Sequence, residues 1–310
     1  MRLERPSFTV EYPIGAFEVP PGTAFVHGTV GFEPRNSIAR LESSGPVYSV
    51  TQIGVASIQL SLADDEIGVA DLFDQSALRQ LLSVIDSPLL MDITSMDHIV
   101  WAPLVKTLVQ NRWDFRVMYL KPDDYRRTTS LGREFWELSD EIEGLAPLPG
   151  FISISPDDGR DFQFVPLLGF EGHRFDHVLV AREVDSERVI PVIGSPGFRP
   201  EYATETVLAN RAALERDFIF ARQEFAAAAC PFDLFFLIEH LRSRHPEDWF
   251  VIAPIGTKPH ALGAVLQAIR HPADTELVYD HPKRRKDRSS GGGRICVYDL
   301  TAFAREYLNA

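Results

Sequence analysis

Cysteine is scarce in this chain: Cys230 and Cys296 are the only two among 310 residues. That excludes a disulfide framework and a four-cysteine zinc site, and it fits two reduced thiols in a cytosolic protein. Long apolar runs are missing too. The most apolar stretch, Phe225 to Ile238, is short for a membrane span and contains Pro231 and Asp233. It reads as a buried helix preceded by a turn. The opening Met1-Arg2-Leu3-Glu4-Arg5-Pro6 lacks the apolar core of a signal peptide. A soluble, cytoplasmic protein with no membrane partner is expected. Positive charge is in deficit: 31 Lys and Arg stand against 44 Asp and Glu, a formal net charge of −13. Phosphate backbones need a positive field, which leaves nucleic acid only the local run Lys283 to Arg294. His-Glu-x-x-His, Cys-x-x-Cys, Gly-x-Ser-x-Gly and the Walker A loop are absent. The chain leans against an enzyme and calls for no metal or cofactor. The adjacent acids Asp123-Asp124 and Asp157-Asp158 read as solvated turns.

What is present is an ordinary globular composition, long enough for about two domains. Five anchors recur in the same order in each half. Gly31-Phe32-Glu33 answers Gly169-Phe170-Glu171, and Ile53-Gly54 answers Ile193-Gly194. Asp71-Leu72-Phe73 answers Asp233-Leu234-Phe235, and Ile93-Thr94 answers Gly256-Thr257. Tyr119-x-x-Pro122 answers Tyr279-x-x-Pro282. A helical insertion at 199–222 accounts for the one jump in spacing. Continuous apolar strands alternating with helices argue for parallel β-α units covered on both faces. The expected fold is α/β, two tandem Rossmann-like parallel β-α units related by internal duplication. Residues 1–24 form a strand and turns, 25–125 the first unit, 126–162 a linker, and 163–310 the second unit.

In parallel α/β sheets, ligands bind outside the carboxyl ends of the strands. Charged residues at those ends draw attention: Glu33 and Arg35 in the first half, Glu171 and Arg174 in the second. Each Glu either faces a cleft or pairs with the Arg beside it. The loop Ile255-Gly256-Thr257-Lys258-Pro259-His260 joins a strong strand to a strong helix. Free N–H groups at a helix start attract anions, Lys258 adds a charge, and Thr257 serves as an N-cap or phosphate donor. The matching loop around Thr94 has no lysine, so the halves are not equivalent sites. The run Lys283-Arg284-Arg285-Lys286 and the glycines Gly291 to Gly293 follow the last parallel strand. They read as a mobile basic loop beside Lys258, with Arg284 and Arg285 suited to phosphates.

A tandem of Rossmann-like units with Gly256-Thr257-Lys258 at a late strand–helix junction resembles the CARF and SAVED domains of bacterial antiviral systems. CARF domains carry a Gly-Thr-Lys loop there and sense cyclic oligoadenylates as dimers. SAVED domains resemble two such units in one chain and bind small cyclic oligonucleotides. The resemblance covers the order of elements from Phe25 to Tyr298, with one motif. It departs from CARF in having no second Gly-Thr-Lys and no appended effector module, which implies a separate effector protein. The expected function is a sensor or regulatory subunit in anti-phage defence. It would bind a nucleotide or other phosphorylated small ligand between the halves. The alternatives are a hydrolase with Glu33 or Glu171 as general base, and an assembly subunit without ligand.

Overall fold

The computed structural model describes residues 8–29, 41, 43–63, 65–85, 88–130, 133–152, 161–285 and 288–308. Contacts divide the chain into two units, Met1–Pro122 with Gly291–Ala310, and Asp123–Ser290.

The first unit begins with β1 (Thr9–Pro13), β2 (Ala24–Gly28) and β3 (Val47–Ile53). A turn at Gly54, whose φ of +66° suits glycine, reverses the chain into β4 (Ser57–Leu62) and then β5 (Asp65–Asp71). Ile53-Gly54 therefore opens an antiparallel meander rather than a crossover to a parallel strand. Helix α1 (Gln75–Leu82) starts where the Asp74 carboxylate accepts from the N–H groups of Ser76 and Ala77. Next come β6 (Leu89–Asp92), α2 (His98–Gln110) and β7 (Phe115–Lys121). Strands β7, β6, β2 and β3 lie side by side in parallel, with β4 and β5 antiparallel beyond β3. Leu89, Leu90 and Met91 of β6 are all buried, as expected of a strand covered on both faces.

The second unit opens with β8 (Asp124–Tyr125), β9 (Arg127–Ser130), β10 (Arg133–Trp136), β11 (Ser139–Ile142) and β12 (Ala146–Pro147). The parallel strands and their helices follow as β13 (Phe162–Pro166), α3 (Gly172–Ala181), β14 (Val192–Gly194), α4 (Tyr202–Ala209), α5 (Arg211–Glu215) and β15 (Glu224–Ala226). Then come α6 (Pro231–Arg244), β16 (Trp249–Ala253), α7 (Lys258–Arg270), β17 (Thr275–Tyr279), β18 (Pro282–Arg284) and β19 (Ser289–Ser290). The sheet order is β12-β17-β16-β13, and a parallel bridge from Leu167 to Val192 continues it to β14 and β15. All are parallel except β12. The chain thus moves outward from β13 through β14 to β15, then returns to the other side of β13 at β16. Residues 202–222, within the stretch read as a helical insertion, form α4, α5 and a short 3-10 segment, and Ala213, Leu214 and Ile219 pack with Phe175 and Val178 of α3.

Two domain boundaries are corrected. The expected linker at 126–162 is not a linker across its described part. There β9 pairs with β10, β11 with β18 and β12 with β17, so its peptide groups belong to the second unit's ladders. Nor does the second unit run to 310. After Ser290 the chain returns to the first unit as β20 (Arg294–Asp299) and α8 (Leu300–Tyr307), with β20 antiparallel between β7 and β1. Ile295, Cys296 and Tyr298 are fully buried there. The whole is mixed α/β with parallel-rich sheets. Among the described residues, no helix is long and apolar enough to cross a membrane.

Candidate functional site

The carboxyl ends of β13, β16 and β17 meet around two glycines. A Cβ on Gly169 would stand 3.1 Å from the Ile255 carbonyl oxygen, and one on Gly256 would stand 2.6 Å from that of Leu168. At Gly256 a side chain would force the loops apart, and at Gly169 it would crowd the facing backbone. Glu171 occupies the N-cap position of α3 and is buried. Its carboxylate accepts from the Leu138 N–H at 2.9 Å and the Ser139 hydroxyl at 3.0 Å, and lies 3.5 Å from Arg174. Arg174 donates through Nε and Nη2 to both oxygens of Asp280, at 2.7 and 2.6 Å, and through Nη1 to the Ile255 carbonyl at 2.9 Å. Burial works against the Arg174 charge, but Asp280 above all, with Glu171 as a smaller contributor, holds its pKa above the ordinary value. Glu171 and Arg174 are brought together as their spacing suggested. They bind the loops to one another instead of facing solvent.

The Gly256-Thr257-Lys258 loop caps α7. The Thr257 hydroxyl accepts from the His260 N–H at 3.3 Å and donates to the Ala228 carbonyl at 2.9 Å. Lys258, the charge expected at this helix start, is 6% exposed and thus enclosed. His260 is fully buried, with Nε2 3.2 Å from the Ala227 carbonyl oxygen. Burial drives its pKa down to about 4, opposed by the carbonyls of Ala227 and Ala226 and by Asp233. Ala227 and Ala228 lie across the start of α7. Ala227 donates to Asp233 at 2.7 Å and Ala228 to the Pro196 carbonyl at 3.0 Å.

No family model, curated protein or solved structure matches the chain.

Of the first-half candidates, Glu33 and Arg35 lie outside the described residues, as do Asp157-Asp158 and Lys286. Thr94 is a strand-end clasp: its N–H donates to Asp92 at 2.8 Å and its hydroxyl accepts from the Leu120 N–H at 2.8 Å. Ser95 likewise accepts from the Gly28 N–H at 2.8 Å, closing the first unit's edge between β2 and β6.

The basic run is not a mobile loop at Arg284 and Arg285. Pro282–Arg284 form β18, and the Arg285 N–H donates to the Leu138 carbonyl at 3.0 Å. Lys283 pairs with Glu141 at 2.9 Å and Glu143 at 3.2 Å, and Arg285 pairs with Asp140 at 2.9 Å and with Glu137. These bonds raise the pKa of Lys283, through Glu141 and then Glu143, and of Arg285, through Asp140 and then Glu137. Arg284 donates to the Tyr279 hydroxyl at 3.2 Å.

Asp280 escaped the sequence reading as a site residue, although an acid one step past an apolar strand is the same signal that singled out Glu171. A ring cluster on β13's loop also escaped it. Phe170 stacks on Trp136 at 4.6 Å and 19°, and the Arg127 guanidinium sits 4.6 Å above the Trp136 ring. Tyr202 stands edge-on to Phe170 at 4.9 Å and donates its hydroxyl to Asp124 at 2.8 Å. Burial and the Asp124 charge push the Tyr202 pKa up.

Proposed function

We propose that this chain is a sensor or regulatory subunit for a nucleotide-type ligand, cyclic oligonucleotides included. The site is the carboxyl edge of the second unit's parallel strands. The observation that carries this is where α7 starts. The second unit's strand order reverses between β13 and β16, and α7 begins at that point with Gly256-Thr257-Lys258. Ligands of open parallel sheets bind at such a reversal, with anions at the helix start. The order β15-β14-β13-β16-β17 supports a Rossmann-like unit. The shared neighbour order of β3-β2-β6-β7 and β14-β13-β16-β17 supports an internal duplication. Phe170 and Trp136 beside the reversal are stacked on each other, and the faces they share would suit a nucleobase once the two rings part. The resemblance to CARF and SAVED domains supports a role in bacterial defence with a separate effector chain. Hydrolysis with Glu171 as base is less favoured, because both its oxygens already accept hydrogen bonds.

A thermal-shift screen with cyclic oligonucleotides tests the reading, followed by calorimetric titration of the best ligand. Lys258→Met keeps the buried stem and removes the charge. It is expected to weaken binding by about tenfold to a hundredfold, the range for hydrogen bonds to charged groups. A variant that binds like wild type would reduce Gly256-Thr257-Lys258 to a structural cap.

A further inference from the structure

The segment around β11 is fastened on two levels. Its inner fastening is the buried Glu171, which accepts from the Leu138 N–H and the Ser139 hydroxyl, and beside it the half-buried Trp136 lies flat on the half-buried Phe170. These contacts lay residues 136–139 over the β13–α3 loop, one of the two loops at the sheet's reversal. Its outer fastening is exposed. Glu137, Asp140, Glu141 and Glu143 sit on Lys283 and Arg285, and the β11–β18 ladder is interrupted by a register shift between Ser139 and Glu141. Glu141 and Lys283 are 63% and 56% exposed at their side chains. Exposed pairs of this kind contribute little each and weaken with salt.

We infer that residues 136–143 are an internal competitor for an anionic ligand: the four carboxylates occupy Lys283 and Arg285, the cations that a polyphosphate would take, and ligand binding lifts this strap. The inference rests on the reading of the site given above and adds how that site is regulated. Carboxylates and phosphates are alternative partners of the same Lys and Arg donors, so the two states exclude one another. A lifted strap frees the Glu171 carboxylate and the Trp136 face, converting occupancy into a rearranged surface on the second unit.

The test uses the full chain and the variant E137Q/D140N/E141Q/E143Q. A control, E183Q/D185N/E187Q/E247Q, removes the same charge from exposed acids elsewhere on the second unit. Hydrogen exchange at the amides of Leu138, Glu143 and Arg285 is expected to quicken at least about tenfold in the first variant. Exchange in β13 and β16 should stay unchanged. Calorimetry with inorganic tripolyphosphate is expected to show about tenfold tighter binding by the strap variant and less than about twofold change in the control. If the strap amides stay slow, or if β13 and β16 quicken with them, the inference falls and the site reading stands. If the strap opens and tripolyphosphate binds no tighter, the competition is refuted. If wild type and variant both bind none, the site reading falls with it.

Discussion

Arg174 is enclosed among Asp280, Glu171 and the Ile255 carbonyl, and that sets what its removal does. Breaking a buried ion pair strands the other charge. Asp280→Asn is therefore expected to cost about 3–5 kcal/mol of stability in urea unfolding. The double variant Arg174→Met/Asp280→Leu should cost clearly less than the two single changes added together, because neither charge is then left alone. Strict additivity would show that the pair is not coupled. His260 gives a pH signature of opposite character. Its imidazole takes a proton near 6.5 when unfolded and only near 4 when folded. Between those values the unfolded state binds the extra proton, so stability falls as pH drops from about 6.5 to about 4 and levels off below. A shift of that size corresponds to about 3 kcal/mol. His260→Gln should flatten that part of the stability–pH curve. Equal slopes for variant and wild type would mean that this ring does not carry the effect.

At the scale of single elements, α7 depends on its cap. Thr257→Ala removes the bond to the His260 N–H and the bond to Ala228, an expected loss of about 1–2 kcal/mol, whereas Thr257→Ser should keep most of it. Thermal unfolding of the two variants separates these outcomes. The same helix shows what a sequence can reveal. The apolar stretches of β6, β7, β16 and β17 and the helices α2 and α7 are legible in the sequence as strands alternating with helices, because buried strands and core helices carry a continuous apolar signal. The strands β8 to β12 were not. They are two to four residues long, and β11 and β12 take partners in β18 and β17, far along the chain. No local periodicity announces such pairs. The site divides in the same way. Glu171 and Arg174, three apart, were legible as a pair, but the Asp280 that fixes Arg174 lies 106 residues on. Lys258 is legible as a charge at a helix start, but nothing in the neighbouring residues announces its burial.

For the whole molecule, the second unit is one continuous stretch, Asp123–Ser290, set between β7 and β20 of the first. That fragment is expected to fold when expressed alone, with a cooperative thermal transition. A chain ending at Ser290 should keep that transition and lose amide protection in β6 and β7, since β20 covers the edge of β7. Retained protection in β7 would show that the first unit does not need its returning strand. The placement of β20 also sets an order of events during synthesis. Among the described strands β1 neighbours only β20, so it leaves the ribosome well before a partner that is made after the entire second unit. Units completed during translation fold first. The inserted unit can therefore mature while its host still has an open edge, and a ribosome stalled anywhere in that insertion holds a nascent chain with β7 unprotected.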